Sequence, residues 1–339
     1  MPDVTPEVAT ELDLAITDAL QLNPRVDWAE LAQTLGHTPK TLARRWKLLT
    51  ERGSAWVAVV PGPAFVRQGC ATFLAVQCRP QAKRDVVRAL VVESAVATVS
   101  STTGAADFLL DVFVPGIADL ARLLDDRIER IDGITAVTSM VALTTYREGS
   151  RWRVQALDLE QSTRLVPPTP STRRTPLSSL DDLDRALLQA LATDGRQSWT
   201  DLAARCGTTG PTARRRVERM TDSGRVALRC EGAPELLGPI VPTTFMMTVP
   251  PGELNTAGNL LGRMPRCRVV EAVTGTSTIV ATMWFRAAAE IAPFEAALTR
   301  ELPSLVITDR FITLHTHKRG GHVLDPLGRT TGTIPLTAY

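Results

Sequence analysis

Apolar residues recur along the chain with two alternating rhythms. Leu12, Ala15, Ile16, Ala19 and Leu20 fall three and four positions apart, which gathers them on one helix face. Pro24 ends that helix, and Trp28, Leu31, Ala32 and Leu35 mark a second, short one that stops at Gly36. Thr38 can cap a third helix, because its hydroxyl can accept from an orphan N–H of the first turn. Pro39 fits the first helical position, where a missing N–H costs nothing. Leu42, Trp46 and Leu49 give this helix its apolar face, and Gly53 terminates it. Strand patterns follow. Trp56 to Val60 reads as a strand ending at Pro61-Gly62-Pro63, and residues 70–78 as another. A helix covers about 82–93, two strands (about 95–102 and 107–114) flank a turn at Gly104, a second helix covers about 117–131, and a last strand runs from Thr135 to Tyr146. The order β-α-β-β-α-β is the ferredoxin-like split unit.

The whole pattern returns 171 residues later. Leu183, Ala186, Leu187, Ala190 and Leu191 repeat the first helix, and Trp199, Leu202 and Ala203 the second. After Gly207 and Thr209 a helix runs through Met220 to Gly224. Residues 12–53 and 183–224 share 16 identities in 42 positions without a gap, and Gly104 keeps register with Gly275. A period this long is not a solenoid, whose units run about 20–50 residues. The expected fold is α+β, with two copies of a helix-turn-helix domain followed by a ferredoxin-like β-α-β-β-α-β domain. The boundaries read as a tail at 1–10, a first helix-turn-helix at 11–53, a connector at 54–68 and a first ferredoxin-like domain at 69–147. A Pro/Thr/Arg-rich linker follows at 148–178, expected to be extended over Leu165 to Pro176. The second helix-turn-helix takes 179–224, a connector 225–240, the second ferredoxin-like domain 241–318, and a Gly/Thr-rich C-terminal tail 319–339.

Composition narrows the class. Hydrophobic content of 44% and charged content of 22% are ordinary for a globular chain. No apolar run approaches the roughly 18–20 residues that span a bilayer, and the start of the chain lacks a signal-peptide pattern. A cytoplasmic, nucleoid-associated protein is therefore expected, with no membrane partner. The 5 cysteines are scattered, with no C-x-x-C pair, and read as core residues. His315 and His317 alternate on a strand and share a face, but two histidines at a strand end do not make a metal site, so no metal or cofactor is expected.

Net charge is only +2, yet its distribution is uneven. Residues 12–32 carry a net −3 and residues 38–52 a net +4; residues 180–203 carry −3 and residues 209–225 carry +3. A basic segment beside an acidic one, twice, suits a face built for a polyanion. Two short helices joined by a tight Gly turn form a helix-turn-helix, whose second helix enters the major groove of DNA. The residues placed to meet DNA are Thr38, Lys40, Thr41, Arg44, Arg45 and Lys47, and in the second copy Thr209, Thr212, Arg214, Arg215, Arg216 and Arg219. Arg can take guanine in bidentate fashion, and Lys and Thr can hold phosphates. Arg45 and Arg216 lie closer to the packed face and are the weaker members, placed to bridge to the acidic first helix.

The run Leu180-Asp181, Leu183-Asp184, Asp194-Gly195-Arg196, Leu202-Ala203, Gly207 and Thr212 to Arg216 resembles the helix-turn-helix of the Lrp/AsnC family. The first copy departs from it at Asn23-Pro24, where the family usually has Asp-Gly. The unit after each helix-turn-helix is similar to that family's effector-binding (RAM) domain, with its Gly-x-x-Asp turn at Gly104-Ala105-Ala106-Asp107. The resemblance implies a transcriptional regulator, not an enzyme, that binds double-stranded DNA and a small effector such as an amino acid. It implies self-association too, each chain acting as a pseudo-dimer within a homodimer or homotetramer. Carried over residue by residue, the effector site comprises Gly104, Ala105, Ala106 and Asp107, and in the second copy Gly275, Thr276, Ser277 and Thr278. Thr135 and Thr138 on the last strand are further lining positions. Asp107 could hold an effector's ammonium or serve as a turn residue that bonds its own backbone; Thr278 cannot supply that charge. Two other readings remain. One is a sirohaem-decarboxylase-like enzyme on the same fold, which needs clustered His, Tyr and Arg in the effector domains. The other is an architectural DNA-binding protein without effector response. The reading helices differ, Lys40-Thr41-Leu42-Ala43 against Pro211-Thr212-Ala213-Arg214, so an asymmetric DNA site is expected.

Overall fold

A computed structural model describes residues 9–149, 152–166 and 179–337 of the chain. It is a mixed α/β structure. Helices α1 (Glu11–Leu22), α2 (Trp28–Leu35) and α3 (Pro39–Glu51) precede β1 (Ala55–Pro61) and α4 (Pro63–Gln68). Then come β2 (Cys70–Cys78), α5 (Lys83–Val91), β3 (Val96–Thr102), β4 (Phe108–Val114), α6 (Ile117–Leu123) and β5 (Ile134–Arg147). After α7 (Leu159–Leu165) the order recurs. Helices α8 (Asp182–Thr193), α9 (Trp199–Arg205) and α10 (Gly210–Asp222) lead to β6 (Val226–Gly232) and α11 (Pro234–Leu237). The rest is β7 (Val241–Thr248), α12 (Leu254–Arg263), β8 (Cys267–Val273), β9 (Ile279–Phe285), α13 (Ile291–Glu301) and β10 (Val306–Arg319). Two further strands, β11 (His322–Leu324) and β12 (Thr330–Thr333), end the chain.

Each three-helix unit closes around its apolar stripe. Ile16, Leu20, Leu31, Leu42 and Trp46 are buried in the first, and Leu187, Leu191, Leu202, Val217 and Met220 in the second. The two units are not independent. Strands β1 and β6 pair antiparallel from Ala55↔Gly232 to Pro61↔Val226. Through this ribbon, Cys230 and Leu236 complete the first core while Val59 completes the second.

The remaining strands form one ladder that closes on itself. Its order is β12-β11-β10-β3-β4-β2-β5-β8-β9-β7, with β7 returning to β10. Strands β5 and β10, 14 residues each, serve both halves. Through residues 134–141, β5 pairs with β2; through Ala142 to Arg147 it pairs with β8. Likewise β10 pairs with β7 as far as Ile312 and with β3 from Thr313 onward. Phe73, Leu109 and Met140 meet Met246, Val280 and Phe311 in a core shared by both halves.

Two segments carry structure that the sequence reading did not place. Within the expected linker at 148–178, residues 159–165 form α7, with Leu165 buried in the first helical core; the stretch expected to be extended, Leu165 to Pro176, lies outside the described residues from 167 onward. Arg153 donates to the fully buried Asp18 through Nε and Nη2, both at 2.8 Å, so this segment straps α1. The expected C-terminal tail folds as β11 and β12. Its anchors are distant in sequence: Thr330 N–H donates to Gly53 O at 2.9 Å, and Arg329 pairs with Glu235. Such long-range partners leave no local periodicity to read.

Candidate nucleic-acid interface

Caps fix where each reading helix begins. Thr38 Oγ1 accepts from the N–H of Thr41 at 3.2 Å, and Thr209 Oγ1 from the N–H of Thr212 at 3.4 Å. Pairs of threonine hydroxyls meet there, Thr38 with Thr41 at 2.9 Å and Thr209 with Thr212 at 3.0 Å. Gly36 and Gly207 take positive φ values of 69° and 64° in the preceding turn, a conformation that suits glycine.

Charge divides each reading helix into two faces. Arg45 donates through Nε to the buried Asp13 at 2.9 Å, and Arg216 reaches Asp181 at 2.6 Å and Asp184 at 2.9 Å. These two arginines lock the third helix of each unit to its first. Burial pushes the Asp13 carboxyl up, but the Arg45 guanidinium and the Thr10 cap more than offset it and hold it below the ordinary value. Arg219 also turns to Asp184, at 2.7 Å. Arg214 pairs with Glu218 at 2.7 Å and Lys47 with Glu51 at 3.7 Å, both along the exposed helix surface. Lys40, Arg44 and Arg215 are exposed and have no ion-pair partner among the described residues. Of the twelve residues nominated for DNA, these three present uncommitted positive charge.

At the nominated effector turns, the side chains of Asp107 and Thr278 are engaged within the protein. Asp107 accepts from the N–H of Cys78 at 2.8 Å and pairs with Lys83 Nζ at 2.6 Å. Thr278 Oγ1 accepts from the N–H of Val249 at 3.0 Å, the equivalent bond one repeat later. Both side chains therefore anchor a turn, and the ammonium beside Asp107 is that of Lys83. Gly104 and Gly275 have φ of 89° and 111°. Ala106 and Ser277 are buried, whereas Ala105 and Thr276 are exposed. Thr135, Thr138 and Ser139 lie exposed on β5. Two residues the sequence reading missed, Thr103 and Thr274, tie each turn to the opposite half. Thr103 Oγ1 accepts from Ile312 N–H and Thr274 Oγ1 from Val141 N–H, both at 3.0 Å. The only local clue is their shared offset of 171.

Comparison with known proteins gives these parts counterparts. Residues 180–221, which span α8 to α10, match the AsnC-type helix-turn-helix domain. Residues 71–152, which span β2 to β5, match the Lrp/AsnC ligand binding domain. An uncharacterized HTH-type transcriptional regulator of Pyrococcus abyssi is 26% identical over 140 residues, 41% of this chain and 89% of the relative. One from Pyrococcus horikoshii is 25% identical over 147 residues, 42% of this chain and 98% of the relative. Among solved structures, the siroheme decarboxylase NirDL superposes with a TM-score of 0.58 at 12% identity, covering 91% of this chain and 93% of that one.

Proposed function

We infer that the chain, which carries both domain types of the Lrp/AsnC regulators, is a DNA-binding transcriptional regulator responsive to a small effector. The observation that carries the reading is Arg215: it lies within the span matching the AsnC-type helix-turn-helix and is exposed, with no ion-pair partner among the described residues. Arg44 stands at the equivalent place in the first unit. In this reading the chain is a tandem duplication with two readers and two ferredoxin-like effector domains, divided at the boundaries given by the sequence. Thr38, Lys40, Thr41 and Arg44 meet one half-site, and Thr209, Thr212, Arg214 and Arg215 the other. One chain supplies what two copies of a single-reader regulator would, and chains associate further into a homodimer or homotetramer. The test is selection of bound duplex DNA followed by gel shift across a salt series. Affinity should fall steeply with salt through counterion release, and the selected motif should be asymmetric. Absence of any duplex binding at low salt would sink the reading.

The superposition that spans 91% of the chain favours one second reading, an enzyme on the same fold that acts on a tetrapyrrole. A likeness at 12% identity is one of fold. Tetrapyrrole that copurifies, or loss of carboxyl groups from an added one, would support this reading.

A further inference from the structure

Three arginines converge where the reader ribbon meets the closed sheet. Arg229 comes from β6, Arg268 from β8 and Arg319 from β10, and all three surround the single carboxylate of Glu231, which is 2% exposed. Arg229 and Arg268 pair with it directly, whereas Arg319 Nη1 stands 4.0 Å away. Arg229, Arg268 and Arg319 line a cavity of about 90 Å³ beside Trp284, together with Asp111, Thr98, Ser100, Thr282 and Thr316. Arg268 lies 4.8 Å and Arg319 5.6 Å from the Trp284 ring centroid. The cavity adjoins a larger cleft of about 1840 Å³, with which it shares Phe73, Thr98, Asp111, Gly149, Arg229 and Val269.

The first half carries no such cluster. One repeat earlier, Ala58, Val60 and Ala97 occupy the positions of Arg229, Glu231 and Arg268, and Glu148 that of Arg319. Buried charge is costly unless it is paired, and three guanidiniums against one paired carboxylate leave positive charge in excess. Asp111 also lines the cavity, so three guanidiniums face two carboxylates there; burial pushes the Asp111 carboxyl up against the pull of Thr98 and the three arginines. Repulsion from Arg229 and Arg319 joins burial in bringing Arg268 down to about 10, a burden that a bound anion would relieve.

We propose that this cavity binds a small anion with two or more carboxylate or phosphate groups, held by Arg229, Arg268 and Arg319 against Trp284. As an anion site it stands on its own geometry; as the effector site it rests on the regulator reading above. A ligand here bridges β6, which belongs to the reader ribbon, and the two sheet strands β8 and β10. The turns at Gly104 and Gly275 are a separate place.

The full chain is titrated with citrate, pyrophosphate and inorganic phosphate at matched ionic strength. Binding is read as a melting shift and as tryptophan fluorescence. The expected result is a saturable rise in Tm with at least one anion, and a fluorescence change lost in Trp284→Phe. Stronger binding of citrate assigns a carboxylate ligand, and stronger binding of pyrophosphate a phosphate one. Arg319→Gln leaves Glu231 both of its direct partners, so the fold persists, and it should weaken binding by about tenfold. Arg268→Lys keeps the charge and should weaken it less. No saturable shift with any of the three anions, or equal shifts in wild type and Arg319→Gln, overturns the proposal. Duplex binding is measured on the same preparations without anion; its failure counts against the regulator reading and leaves the anion titration unaffected.

Discussion

The guanidinium of Arg25 lies over the indole of Trp199, 3.7 Å from the ring centroid. One repeat later Arg196 covers Trp28 at 4.1 Å. Each arginine also donates to backbone carbonyls across the junction: Arg25 to Gly195 and Gln197 at 2.7 and 2.9 Å, and Arg196 to Pro24 and Val26 at 2.6 and 2.8 Å. Burial brings both guanidiniums down to about 10, which leaves them charged at neutral pH. The two readers are thus clasped reciprocally. Arg25→Ala should cost roughly 2 kcal/mol, combining a partly desolvated cation–π contact with charged hydrogen bonds. Urea denaturation followed at constant m-value measures it, and a loss below about 0.5 kcal/mol would contradict the clasp.

Arg44 and Arg45 are neighbours with opposite expected phenotypes. Arg44→Ala and Arg215→Ala should each weaken DNA binding and lower the salt slope by about one, with Tm unchanged. Arg45→Ala strands the buried Asp13 and should cost about 2–3 kcal/mol of stability. Gel shifts in a salt series, paired with thermal melts, separate the two classes.

Stability should respond to pH in two opposing ways. Glu271 is raised to about 7, first by burial, and by the nearby Asp111 and Glu148 charges, against a hydrogen bond from Thr145. Below its ordinary 4.5 it is protonated in both folded and unfolded chains; between 4.5 and about 7 the unfolded chain releases the proton more readily, so stability falls as pH rises. Glu271→Gln should therefore stabilise by about 2 kcal/mol at pH 8 and by nearly nothing at pH 4. Glu231 behaves in the reverse sense. Burial pushes it up, but Arg229, Arg268 and Arg319 bring it to about 2, so its contribution is lost as pH falls from 4.5 toward 2. Chemical denaturation across pH for wild type and Glu271→Gln checks the first slope directly.

Gly53 joins the first reader to the C-terminal strands. Its φ is 69°, and a Cβ there would run into the backbone carbonyl of Thr330. Gly53→Ala should destabilise by about 1–2 kcal/mol. It should also speed amide exchange in residues 322–333 more than elsewhere. Uniform exchange across the chain would show that the contact is not a local clamp.

The elements were legible wherever the controlling contacts are local. Leu42, Trp46 and Leu49 lie on one helix face because i, i+3 and i+4 positions do so on any helix. The bridge from Arg45 to α1 was legible too, since acidic and basic segments stand side by side in both copies. Contacts between residues about 170 apart were not. The Arg25–Trp199 pair, the Thr103–Ile312 bond and the docking of Thr330 on Gly53 depend on how the halves meet, and no window of sequence contains both partners. Residue type alone leaves Asp107 two roles, a holder of an effector's ammonium or an anchor of its own turn. The structure places Lys83 beside it, and Thr278 fills the same anchoring role in the second turn.

Strands β5 and β10 each belong to both halves at once, so the halves cannot trade partners. A pair assembled from separate chains comes apart on dilution and can mix with any compatible neighbour. Here the second half is held at a fixed effective concentration by the polypeptide itself, and parting the halves means breaking three strand pairings, β1 with β6, β5 with β8 and β10 with β3. The pairing is therefore independent of copy number and closed to subunit exchange. Each half is then free to accumulate differences without losing the other.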